Sequence, residues 1–110
     1  MSEHRPIPLN DALFSQEVLH RQGIAVVDFW APWCGPCLQM APALEAFAES
    51  NGGKIRVFKV DVDDNPKTAE RYQIRSIPTV IIFRNGEPVY VSRGAMTQAK
   101  LQEQVDRLTS

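Results

Sequence analysis

The stretch Ile24–Trp30, IAVVDFW, constrains the fold more than any other part of the chain: it is almost continuously apolar, rich in β-branched and aromatic residues, and broken only by Asp28. A strand with one wet face alternates apolar and polar residues, whereas a run that is apolar at both parities must be buried on both faces. Such a strand requires neighbours in the plane of a sheet and a covering layer above and below it. The flanking sequence supplies both. Residues 7–9 read as an edge strand, and Asn10 or Asp11 caps a helix running to about residue 20, ended by Gly23. From residue 36 to about 50, Leu38, Ala41, Leu44, Ala46, Phe47 and Ala48 recur at helical spacing, closed by Asn51-Gly52-Gly53, with Pro42 expected to kink the helix.

Residues 55–62 read as a second buried strand, and Asn65-Pro66 opens a short helix to about residue 72. After Pro78, TVIIFR and PVYVSR flank Asn85-Gly86, the strongest short hairpin signal, and Gly94 ends the pair. Residues 97–108 carry Ala99, Leu101, Val105 and Leu108 on one helical face, with Glu103 and Arg107 spaced as an i,i+4 pair. The order β-α-β-α-β-α-β-β-α predicts an α/β fold: a central mixed sheet, parallel in its core with an antiparallel C-terminal hairpin, flanked by helices on both faces. With 110 residues and 44% hydrophobic content, the expectation is a single domain over 1–110.

Charge directs attention to proteins and small molecules as partners. The 12 Lys and Arg nearly balance 13 Asp and Glu, and no basic block marks a nucleic-acid or membrane surface. The N-terminal MSEHRPIPLNDALF lacks the charged-then-apolar pattern of a signal peptide, so the expected location is cytoplasmic. In a reducing compartment the chain's two cysteines, Cys34 and Cys37, point to catalysis or metal binding before a structural staple.

If a helix starts at the cysteine pair, Pro36 falls in its first turn, where a missing N–H costs nothing. Cys34 then lies at the helix N-terminus, where unpaired N–H groups and the dipole stabilise a thiolate. Cys37 lies one turn on along the same face, placing the two α-carbons roughly 5–6 Å apart, within disulfide range. The roles are unequal: Cys34 is expected to be the exposed attacking thiol and Cys37 the more buried resolving one. Gly35 and Pro36 between them are neutral and Leu38 is apolar, so the thiolate gains little extra stabilisation and the pair should act as a reductant. Two other readings stand beside this one. A metal site would have to recruit His4 and His20, in an order unlike zinc-finger spacing, and a structural disulfide closing so short a loop would constrain the unfolded chain very little. Asp28, a lone carboxylate among apolar neighbours, should be buried with a raised pKa, which suits a general base for Cys37.

These residues resemble the thioredoxin family over almost the whole chain: VDFWAPWCGPC, Pro42, the VDVDDNP segment, Ile77-Pro78-Thr79, FRNGE and Gly94-Ala95. The resemblance implies a general protein-disulfide reductase, monomeric, with no bound cofactor, whose Cys34–Cys37 disulfide receives electrons from NADPH through a flavoprotein thioredoxin reductase. It implies that Lys59 is the partner of Asp28, that Gly35 and Pro36 tune the pair toward reduction, and that the Ile77–Pro78 bond is cis, although trans is the ordinary state of such a bond. It further implies a shallow docking surface of Trp33, Ile77, Pro78, Gly94 and Ala95 for disulfide-containing protein substrates. Two positions depart from the family pattern: Leu38 stands where Lys or Arg is common, and Ser76 where Gly is frequent. A disulfide isomerase or oxidant, and a non-catalytic interaction or holdase module on the same fold, are the alternative functions.

Overall fold

A computed structural model describes residues 4–109, so both ends of the expected 1–110 domain, residues 1–3 and 110, lie outside the described residues. The elements follow the expected order: β1 (Ile7–Pro8), α1 (Asp11–Phe14), β2 (Ile24–Trp30), α2 (Gly35–Ser50), β3 (Arg56–Asp61), α3 (Pro66–Arg71), β4 (Thr79–Arg84), β5 (Glu87–Arg93) and α4 (Gln98–Thr109). Among the described residues they form one five-stranded sheet, ordered β1-β3-β2-β4-β5. β3 is parallel to both β1 and β2, while β4 is antiparallel to β2 and to β5. The mixed sheet is therefore parallel on one side of β2 and antiparallel on the other, with β2 at its centre.

Side-chain alternation along β2 divides the interior into two cores. Ile24 and Val26 pack with Val57, Val80 and Ile82 beneath Met40, Leu44 and Phe47 of α2 and Leu101 and Val105 of α4. On the opposite face Ala25, Val27 and Phe29 pack with Phe58, Val60, Ile81 and Phe83 against Phe14 and Val18, closed by Tyr72. Phe14, Phe29, Tyr72 and Phe83 stack as tilted and edge-on rings with centroids 5.5 to 6.3 Å apart, the geometry that aligns ring edges with ring faces.

Local chemistry sets most of the boundaries. The Asn10 side chain accepts the Leu13 N–H at 2.9 Å and starts α1. Asp11 reaches across to the first turn of α3, accepting the Thr68 N–H at 2.9 Å. The first helix differs from the expected uniform helix to residue 20: from Ser15 to Leu19 it widens into a π-helical turn, closed by the His20 N–H on the Ser15 carbonyl at 2.9 Å. α2 continues through Pro42 to Ser50, the missing N–H at Pro42 leaving the carbonyl one turn earlier without its helical donor.

Both edge strands carry proline, Pro8 in β1 and Pro88 in β5, where an absent N–H interrupts no interior ladder. The β4–β5 register shifts between Ile82 and Phe83, opposite Pro88. Asn85 and Gly86 both have positive φ, 53° and 84°, the pair a tight primed turn requires. That turn is clamped to the loop before β2: Asn85 Oδ1 accepts the Gly23 N–H at 2.7 Å, and the Asn85 N–H donates to the Gly23 carbonyl at 3.0 Å. A Cβ on Gly86 would collide with the Leu19 carbonyl, so the approach depends on glycine.

Candidate active site

β2 runs out at Trp30, and α2 begins four residues later with Cys34 as its N-cap. Its Sγ accepts the Cys37 N–H at 3.2 Å, the bond an oxygen makes at an ordinary cap. Pro36 occupies the first turn, where its missing N–H takes nothing from this cap. Cys34 and Cys37 are joined as a disulfide with their α-carbons 5.3 Å apart, inside the separation expected from the sequence. The pair packs with Ala31 and with Trp30, Val62 and Ile77, and Cys34 Sγ lies 3.8 Å from the Ile77 carbonyl oxygen.

The expected difference in exposure between the two cysteines is absent. Cys34 is 4% exposed and Cys37 3%. In the disulfide, Cys34 is turned in against Cys37 and the Ile77 carbonyl, which closes its outward face. What separates the two is their surroundings: Trp33, Gly35 and Pro36 beside Cys34 are exposed, while Cys37 looks into a cleft beneath α2.

That cleft, about 470 Å³, is bounded by Asp28, Trp30, Cys37 and Lys59, with Pro8 of β1 and Leu38 of α2 at its sides. Alternation along β2 places Asp28 on the α2 face, in the row of Ile24 and Val26, and makes Lys59 its register partner on β3. Asp28 is 4% exposed, and its Oδ1 has no hydrogen-bond partner. Burial pushes its carboxyl up to about 7, and the Lys59 charge opposes that rise. The ammonium of Lys59 lies 5.0 Å over the Trp30 ring, so it acts on Asp28 across space while its charge rests on an aromatic face. A carboxyl near neutrality, in the same cleft as the inner cysteine, can accept or return a proton at ordinary pH.

The remaining expected residues arrange themselves unevenly around Cys34. Trp33 is 69% exposed, its indole N–H donating to Asp63 Oδ2 at 2.6 Å. Ile77 is half-buried beside the disulfide, and the Ile77–Pro78 bond is cis. Pro78 is buried, so it offers no exposed face, and its carbonyl accepts the Gly94 N–H at 2.8 Å. This bond ties the loop of Gly94 and exposed Ala95 to the start of β4. Ser76 is exposed, and its carbonyl accepts the Thr79 hydroxyl at 2.6 Å. Behind the loop, the Met96 N–H donates to the sulfur of buried Met40 at 3.2 Å.

Asp63 was not singled out in the sequence, yet a signal for it exists: β2 and β3 are parallel with Trp30 beside Asp61, so the loops leaving them meet. The same parallel pairing brings Val62 to the disulfide. Among the described residues no group of three or more His, Cys, Asp and Glu side chains gathers to hold a metal ion.

A disulfide capped onto a helix that follows a central strand, with a raised carboxyl in the cleft behind it, defines a thiol–disulfide oxidoreductase. The Thioredoxin family model matches residues 5–107. A thioredoxin of Rhodospirillum rubrum is 46% identical over 98 residues, covering 89% of this chain and 94% of that protein. One from Staphylococcus aureus strain Mu50 is 44% identical, covering 92% of this chain and 95% of that protein. The chloroplastic M-type thioredoxin of Pisum sativum is 43% identical, covering 90% of this chain and 58% of that protein. The chain belongs to the thioredoxin family. It is a protein-disulfide oxidoreductase, and its Cys34 and Cys37 form a disulfide-capable pair of the kind that family carries.

Proposed function

We propose that the chain is a general reductant of protein disulfides, and that NADPH restores it through a flavoprotein thioredoxin reductase. The observation carrying this reading is the Cys34 sulfur at the α2 N-cap, accepting the Cys37 N–H with no cation among Gly35, Pro36 and Leu38. The helix terminus makes the thiolate accessible, and the neutral surroundings leave the reduced form free to give up electrons.

In this mechanism the Cys34 thiolate attacks one sulfur of a partner's disulfide; a Cys34–partner bond forms and the other partner sulfur leaves as a thiolate. Cys37 then passes its proton to Asp28, with Lys59 moderating that carboxylate's basicity. The Cys37 thiolate attacks Cys34, expelling the partner's second thiolate and leaving the Cys34–Cys37 disulfide, with two electrons moved to the partner. The partner segment docks extended beside Trp33, Ile77, Gly94 and Ala95, with Pro78 shaping the loop from beneath. Gly35 and Pro36 set the reducing bias. In this proposal the protein works as a monomer in the cytoplasm on protein partners, with neither nucleic acid nor membrane among them.

The test is reduction of a protein disulfide by NADPH and thioredoxin reductase, comparing wild type, Cys34→Ser and Cys37→Ser. Cys34→Ser should lose turnover entirely, and Cys37→Ser should accumulate a mixed disulfide with the substrate. Activity retained in Cys34→Ser overturns the mechanism. A reduction potential in the range of oxidants such as DsbA, near −120 mV, would instead make the chain an oxidant or isomerase.

A further inference from the structure

At the end of β2 away from the disulfide, a cleft of about 360 Å³ opens between the start of β3, the loop after α2 and the segment leading into β1. Its walls carry Arg5, Arg21, Lys54 and Arg56, four of the chain's 12 Lys and Arg, together with His4, and no carboxylate is among the lining residues. In a chain of net charge −1 this is a marked local excess of positive charge.

The arrangement is built rather than incidental. Arg56 is half-buried, and its two terminal nitrogens donate to the backbone carbonyls of Glu17 and Gln22, the latter at 2.9 Å. Two carbonyl anchors hold the guanidinium plane in place without neutralising it. Burial lowers the Arg56 pKa, the neighbouring Arg21 charge lowers it further, and Glu17 opposes both. Glu17 is itself engaged by Arg21 at 3.3 Å. The imidazole of His4 lies against Gly52, where a Cβ would displace it, so the loop after α2 leaves room for this ring at the cleft. Ile7 and Ile55 supply an apolar wall. Glu17 offsets part of the Arg21 charge, but anchored Arg56 still shares the concave space with Arg5 and Lys54, and a ligand with several adjacent negative charges relieves more of their mutual repulsion than a single carboxylate.

We propose that this cleft binds a small polyphosphate anion, either free pyrophosphate or tripolyphosphate or the phosphate chain of a nucleotide. The site is independent of the redox centre, lying about 20 Å away along the rise of β2. Lys54 and Arg21 hold the outer phosphate and Arg56 the inner one, in charge-assisted hydrogen bonds that weaken with salt.

Calorimetric titration of the intact chain with pyrophosphate, tripolyphosphate, ATP and sulfate, at low and physiological salt, tests the proposal. Saturable one-site binding of the polyphosphates is expected. The double variant Arg21→Ala/Lys54→Ala should weaken it by about tenfold or more, whereas Lys67→Ala/Lys100→Ala, with the same loss of charge outside the cleft, should change it less than about twofold. All four side chains are exposed, and circular dichroism checks that each variant is folded. Tighter binding of ATP than of tripolyphosphate places a nucleotide on the Ile7–Ile55 wall, and equal binding identifies the free polyphosphate. Absence of saturable binding at low salt, or an equal loss in both double variants, overturns the site.

Discussion

On one face of β2, Ala25, Val27 and Phe29 close into a continuous core with the rings of Phe14, Tyr72 and Phe83. On the other, Ile24 and Val26 lead to Asp28, where packing gives way to the cleft that reaches Cys37. The same strand, alternating by one residue, thus gives one row to cohesion and the other to a buried carboxyl with an unpartnered oxygen. An unpaired carboxylate there opposes folding, so the α2 face gives up stability at the position where the proposed mechanism places proton transfer.

The contrast breaks most visibly at Phe29. Phe29→Ala empties the centre of the aromatic core and should cost about 3–5 kcal/mol in urea unfolding, with disulfide reduction per folded molecule unchanged. A large fall in specific activity with stability intact would mean that the two faces are not separate in duty.

Asp28→Ala should do the reverse, raising stability at pH 8 while slowing the step resolved by Cys37 by about tenfold or more. A folded carboxyl at about 7 against an ordinary 3.8 binds its proton more tightly in the native state. Stability from this group is therefore full below pH 4 and falls as pH rises toward 7, by roughly 4 kcal/mol in all. Subtracting the Asp28→Ala unfolding curve from wild type across pH 4–8 isolates that slope. A difference that stays flat removes the buried-acid reading. A variant both less stable at pH 8 and fully active would do so as well.

The smallest effect is expected at Leu38, 53% exposed on the rim of the cleft. Leu38→Lys places a cation near the sulfurs and should lower the Cys34 thiol pKa slightly, changing turnover by no more than about threefold and stability hardly at all. Thiol titration by absorbance, with turnover measured in parallel, checks this.

What the sequence disclosed and what it hid divide along local and tertiary causes. The burial of Ile24 to Phe29, the cap at Asn10 and the turn at Asn85-Gly86 follow from chemistry contained within a few residues. The α-carbon separation of the cysteines follows likewise from helix geometry. The π-helical turn at Ser15–Leu19 has no local residue signature. The Trp33–Asp63 bond depends on two parallel strands ending together, and the perch of Lys59 on Trp30 on a side chain choosing between an aromatic face and a carboxylate. The near-equal burial of Cys34 and Cys37 depends on tertiary packing against the Ile77 loop, which no local pattern around the cysteines contains.

The junction of Asn85 and Gly86 with Gly23 and Leu19 also bears on how this scaffold can be enlarged. Hairpin tips are ordinarily the tolerant places to splice in a peptide or permute a chain. Here the tip is locked to a second loop by two hydrogen bonds and a contact only glycine permits, so an insertion between residues 85 and 86 would pull on both connections at once. Grafted epitopes and reporter domains belong elsewhere on this surface.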